Sequence, residues 1–216
     1  MQRRKSADGH QPMNLIQVLL ALTLTVSCIQ AESIFSPDRN VRLDIGLETG
    51  KPYYRVSFEE IVVVEKSFLG LAAEAEDGAA EGDESTAGWT ELQTTRQNID
   101  EKWKPVVGKR AVVHNQCEQL TLALKRSAGN PARMNLLFRA YDEGIAFRYV
   151  IEPSDDSGRT LRISDDYSEF AFTGDHQVWS YQHERRPLGP DRITDLTEKR
   201  AYPVVMKSDQ GYWIAL

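Results

Sequence analysis

The sequence predicts an all-β fold, a β-sandwich of mainly antiparallel strands. Three observations predict it. Apolar and polar residues alternate with a period of two in several separate windows, the signature of half-buried strands. Short turn signals built on Gly, Pro, Asp and Asn separate those windows. No window carries the 3.6-residue period of an amphipathic helix. Many short strands with turns between them mean a sandwich or barrel.

Val41, Leu43, Ile45 and Leu47 alternate with Arg42, Asp44 and Gly46 in the first strand. Gly50-Lys51-Pro52 breaks it, and Tyr53 to Phe58 is rich in β-forming residues. Glu59-Glu60 joins that segment to the apolar run Ile61–Val64 as a hairpin. Ala72 to Gly88 holds six acids and no bases, and is expected to be a solvated loop. Its acids lack EF-hand spacing. Val112 to Leu124 places Leu120, Leu122 and Leu124 on one face, with Cys117 as a small core-side residue. Met134–Tyr141 and Ile145–Ile151 flank Asp142-Glu143-Gly144, where Gly144 suits the positive-φ position of a hairpin. Leu161–Ile163, Tyr167–Phe172 and Gln177–Tyr181 follow as strands, with Asp165-Asp166 expected to open the second of them. Tyr202–Lys207 and Tyr212–Leu216 flank Ser208-Asp209-Gln210-Gly211 as a last hairpin. That strand ends on apolar residues with no polar tail, which gives the expectation of a domain incomplete at its C-terminus.

The start of the chain reads differently. Arg3, Arg4 and Lys5 precede the uncharged stretch Leu15–Val26, and small and polar residues run on to Ala31. This is the pattern of a secretory signal peptide over residues 1–31, too short for the about 20 apolar residues that span a bilayer. Cleavage after Ala31 is one reading; a lipoprotein acylated at Cys28 is another, and Met13 is an alternative start. Export to the periplasm or beyond is expected. The whole chain, 216 residues, carries a formal charge of −6. Removing residues 1–31 removes Arg3, Arg4, Lys5 and Asp8, a net +2, so the mature chain is at −8. An acidic chain disfavours nucleic acid as a partner. Cys117 is then the single cysteine, and the core must supply the stability.

The search for catalytic motifs is negative: there is no G-x-S-x-G, H-E-x-x-H, phosphate-binding glycine loop or paired C-x-x-C. One segment concentrates chemistry, Gly174 to Glu184, with His176, Trp179, Tyr181, His183 and two acids. On a strand His176 and His183 face opposite ways, whereas Trp179, Tyr181 and His183 share a face. Aromatic faces suit the apolar faces of sugar rings, and Glu184 suits a hydroxyl or a hard cation. A core Trp and Tyr with a polar rim is the alternative. Asp155-Asp156 sits in a turn, and adjacent acids on one strand point apart, so neither acidic pair supplies the facing carboxyls of glycoside hydrolysis.

An ordered set of segments carries a family resemblance. It comprises Ser36-Pro37-Asp38, Gly50 to Ser57, Ser67 to Leu71, Glu101 to Gly108, Asn135 to Tyr149 and Glu169 to His176. From about residue 34 to 216 the chain resembles the N-terminal domain of glycoside hydrolase family 97, exported α-glucosidases and α-galactosidases. The resemblance implies a β-super-sandwich over residues 32–216 that supports a catalytic (β/α)8 barrel and walls one side of the sugar pocket. It implies no catalytic residue in this chain, Trp179 and His183 as substrate-binding candidates, and Glu184 as a ligand of Ca2+. The implied partners are an α-linked oligosaccharide or polysaccharide and a barrel in cis or in trans. A barrel takes about 250 residues, so this chain is expected to be inactive alone and poorly soluble. Two alternatives stay open: a free-standing carbohydrate-binding sandwich, and a structural domain that docks a separately encoded barrel.

Overall fold

The computed structural model describes residues 31–75, 87–126, 133–151, 161–182 and 186–216. Among them are fourteen strands and one short 3-10 turn at Ile193–Asp195. The leader, the acidic stretch 76–86 and Asp155-Asp156 lie outside the described residues.

The first sheet is a meander of β1 (Glu32–Phe35), β2 (Val41–Glu48), β3 (Lys51–Phe58) and β4 (Ile61–Phe68), each antiparallel to the next. Alternation in β2 sends Val41, Leu43, Ile45 and Leu47 inward. The two hairpins are two-residue loops, Thr49-Gly50 and Glu59-Glu60. All four loop residues have positive φ, 49°, 77°, 46° and 66°, the handedness that matches strand twist.

The second sheet is also a meander, of β6 (Thr90–Trp103), β7 (Val113–Lys125), β8 (Arg133–Tyr141) and β9 (Gly144–Ile151). Leu120, Leu122 and Leu124 of β7 and Met134, Leu136, Phe138 and Ala140 of β8 meet the inward side chains of the first sheet. The two sheets thus enclose one core. Phe147, on β9, lies 5.5 Å from the Tyr54 ring and 6.4 Å from that of Phe138, and Phe170 closes on Tyr54 at 6.3 Å. Burial raises the Tyr54 hydroxyl well above its ordinary range, and it donates to the Glu169 carbonyl at 2.8 Å.

Two smaller sheets complete the chain. β5 (Leu71–Ala75) pairs with β10 (Leu161–Asp166). β11 (Gln177–Tyr181), β12 (Leu188–Arg192), β13 (Ala201–Lys207) and β14 (Trp213–Ala215) form a sheet in the order β12-β11-β13-β14.

The fold class is as expected, three local expectations are corrected, and β6 is a strand that the sequence reading leaves out. Leu71–Ala75 is a strand, so Ala72 to Ala75 do not belong to a loop. β6 is a fourteen-residue strand that alternation does not reveal. Tyr167–Phe172 is no strand; it makes one isolated bridge, Val64↔Phe172, plus single backbone bonds to Gly70, Phe68 and Glu65. Asp165-Asp166 closes β10 instead of opening a strand, and Asp166 Oδ1 accepts from Ser168 N and Oγ, at 2.9 and 2.6 Å. That carboxylate is a turn-former.

Candidate functional site

The segment that concentrates chemistry in the sequence runs along β11, the second strand of the last sheet. Val178 and Ser180 are buried, and Trp179 lies on the opposite, outer face. Cross-strand register builds that face. Trp179 stands opposite Val205, Val205 opposite Ala215, and Lys207 opposite Trp213. The Trp179 and Trp213 rings lie 5.3 Å apart at 37°, and Lys207 Nζ sits 5.5 Å from the Trp213 centroid. Trp213 remains 59 % exposed. The result is a two-tryptophan surface with a cation at its margin.

His176 faces the other way, as alternation expects. It is buried, its ring 6.2 Å from Phe172 and 6.3 Å from Tyr212. Its Nε2 has no hydrogen-bond partner among the described residues. His176 therefore wedges the outer sheet against the sandwich and does not belong to the tryptophan surface. The adjacent Asp175 grips the 3-10 turn: Oδ1 accepts from Thr194 N and Oδ2 from Thr194 Oγ1, both at 3.0 Å. Those bonds hold its carboxyl below the usual range.

At the far end of β11, Gln182 Nε2 donates to Glu198 Oε2 at 3.0 Å. Arg200 reaches Glu198 at 3.6 Å and Asp191 at 3.9 Å. No sequence motif marks this polar cluster, because its members come from three separate segments. His183 and Glu184 follow Gln182 directly but lie outside the described residues. Among the described residues no group of three His, Cys, Asp or Glu side chains could hold a metal, and no helix is long and apolar enough to cross a membrane. Asp38 and Asp142 approach each other at the other end of the sandwich, but Asp38 is used within its own turn. Its carboxylate accepts from Ser36 Oγ at 2.5 Å and from Asn40 N at 3.0 Å.

The family description Glycosyl-hydrolase 97 N-terminal matches residues 34–216. The chain belongs to that family. Solved structures agree with the fold. A glycoside hydrolase family 97 enzyme from Pseudoalteromonas sp. strain K8, in complex with acarbose, superposes with a TM-score of 0.69 and 22 % identity. A variant of a family 97 enzyme from the same strain, in complex with panose, gives 0.70 and 22 %. Both matches cover 85 % of this chain and 28 % of the other. A β-arabinopyranosidase gives 0.73 and 19 %, covering 86 % of this chain and 31 % of its own. The chain thus spans less than a third of these proteins. Residues 34–216 are the family's N-terminal domain, and the described residues contain no catalytic barrel.

Proposed function

We propose that this family 97 domain serves an exported α-glycoside hydrolase of α-glucosidase or α-galactosidase type. In that role it supports a catalytic (β/α)8 barrel and walls one side of the sugar pocket. The observation that carries the reading is the family match over residues 34–216, which takes in nearly all of the described fold. The tryptophan face supports it, since Trp179 and Trp213 offer aromatic surface of the kind that sugar rings pack on. His183 and Glu184, just beyond Gln182, are the substrate-binding and Ca2+-binding candidates. Glu184 would give one carboxylate to an ion that takes six to eight oxygens, the remainder coming from the barrel. Residues 1–31 would direct export to the periplasm or the medium, with acylation at Cys28 as the alternative anchor.

The exposed Trp213 favours a second reading, a sandwich that binds α-linked oligosaccharide by itself. Two measurements test the readings, and the second separates them. The purified chain is expected to release no p-nitrophenol from α-glucoside or α-galactoside substrates, because glycoside hydrolysis needs two facing carboxyls. Steady turnover overturns the first reading. Titration with panose, followed by tryptophan fluorescence, is expected to show no saturable change with the chain alone. A saturable change lost in Trp213→Ala establishes the second.

A further inference from the structure

Two further features of the sandwich stand out. The first is an arm. β7 pairs with β8 only as far as Glu118↔Ala140, whereas β6 and β7 stay paired out to Trp103↔Val113. The four pairs from Asp100↔Gln116 to Trp103↔Val113 stand clear of β8 beyond the buried Ile99 and Cys117. At about 3.4 Å per residue they carry the tip about 14 Å outward. The tip is apolar: Val106 is 100 % exposed, Val107 83 % and Trp103 47 %. Its charge is of one sign, because Lys102, Lys104, Lys109 and Arg110 occur there and no acid lies between Lys102 and Val112. An acidic chain thus carries an arm whose outer part is basic and valine-tipped, with Asp100 and Glu101 at its base.

The second feature is a cleft of about 680 Å³ between the two large sheets, on the β9 side, walled also by β14 and bordered by Trp213 of the tryptophan face. Phe58, Val63, Phe147, Phe172, Ile214 and Leu216 line it, and exposed Asp142 and Glu143 form its lip. That lip is the β8–β9 turn, which follows Tyr141 and so lies at the same end of the sheet as the arm. An arm directed outward along β7 projects past its own cleft. A second copy facing that end presents a cleft to it. Apolar tip matches apolar cleft, and basic collar matches acidic lip.

We propose that this end of the domain is a self-docking surface. The arm of one copy enters the acid-lipped cleft of a second, and a two-fold axis makes the exchange reciprocal. Such an interface is closed, because each copy uses both of its complementary features on the same partner.

Sedimentation velocity of the purified 216-residue chain tests it. The chain is expected to sediment as a dimer whose dissociation constant rises with NaCl, since the collar-lip attraction is screened. Val106→Asp with Val107→Asp is expected to weaken the dimer on the order of tenfold or more, by placing charge in the apolar contact. Lys109→Glu with Arg110→Glu, or Glu143→Lys alone, should each weaken it, and the three changes combined should recover much of the loss. All these positions are exposed, and circular dichroism confirms that each variant folds. A monomeric wild-type chain, aggregates without defined mass, a dimer indifferent to the valine changes, or a charge exchange without recovery each overturns the proposal.

Discussion

Glu59 and Glu60 make a two-residue turn of the first sheet with residues poorly suited to it. Both hold positive φ, 46° and 66°. For a residue with a Cβ the left-handed region costs roughly 1–2 kcal/mol. The sister turn, Thr49-Gly50, has the same geometry but glycine at its second position. Gly50 also needs its missing side chain, since a Cβ there would lie 2.9 Å from Gly88 N. No such crowding governs Glu59-Glu60, whose side chains are exposed. Asn-Gly is the preferred pair for such a loop. Glu59→Asn with Glu60→Gly is therefore expected to stabilise the chain by about 1–2 kcal/mol, read as a higher urea midpoint at unchanged slope. A midpoint that stays or falls contradicts this account of the turn.

Among the elements, legibility in sequence followed burial on one face. β2, β7 and β8 each bury alternate residues, so their period of two shows directly. β6 buries only Ile99, being the edge of its sheet and polar on both faces, and its sequence carries no period. Tyr167–Phe172 has strand composition, yet in the fold it runs beside β4 through single backbone bonds and one bridge, without a continuous ladder, and its Phe170 packs on Tyr54. Of the candidate site, parity sets Trp179 on the face opposite His176, but it leaves open whether that face is core or outer. Its pairing with Trp213 depends on β13 lying between the two strands, which no local pattern encodes.

β12 makes that arrangement testable. Gly189 has φ of 113°, and a Cβ there would come within 2.3 Å of the Val178 carbonyl oxygen and 3.1 Å of Trp179 Cα. Gly189→Ala combines backbone strain of order 1–3 kcal/mol with a clash that only movement of β12 relieves. Trp179 fluorescence should then shift and urea should unfold the outer sheet at lower concentration. An unchanged emission spectrum and midpoint would show that β12 does not govern the tryptophan face.

At the scale of the molecule, the two parts differ in how they are held. The sandwich encloses Ile34, Leu43, Ile45, Leu120, Leu136 and Phe138, all essentially inaccessible to solvent. The outer sheet buries Val178 and Met206 with the polar Ser180, Ser208 and His176. Ser180 Oγ and His176 Nε2 have no hydrogen-bond partner among the described residues. Each such group costs about 1–3 kcal/mol relative to a satisfied one. His176 against Phe172, together with Tyr212 and Ile214 packed on the core, fastens this sheet to the sandwich. Regions with few apolar contacts open before the global transition. Amide hydrogens of β11 and β13 are therefore expected to exchange at least about tenfold faster than those of β7 and β8, the equivalent of about 1.4 kcal/mol. His176→Ala should widen that gap by removing the wedge between the two parts, while leaving β7 and β8 near their original protection. Equal protection in the two sheets, or a uniform loss on His176→Ala, would mean that the domain unfolds as one unit. A detachable outer sheet would let the tryptophan face move relative to the sandwich, which a rigid single unit would not.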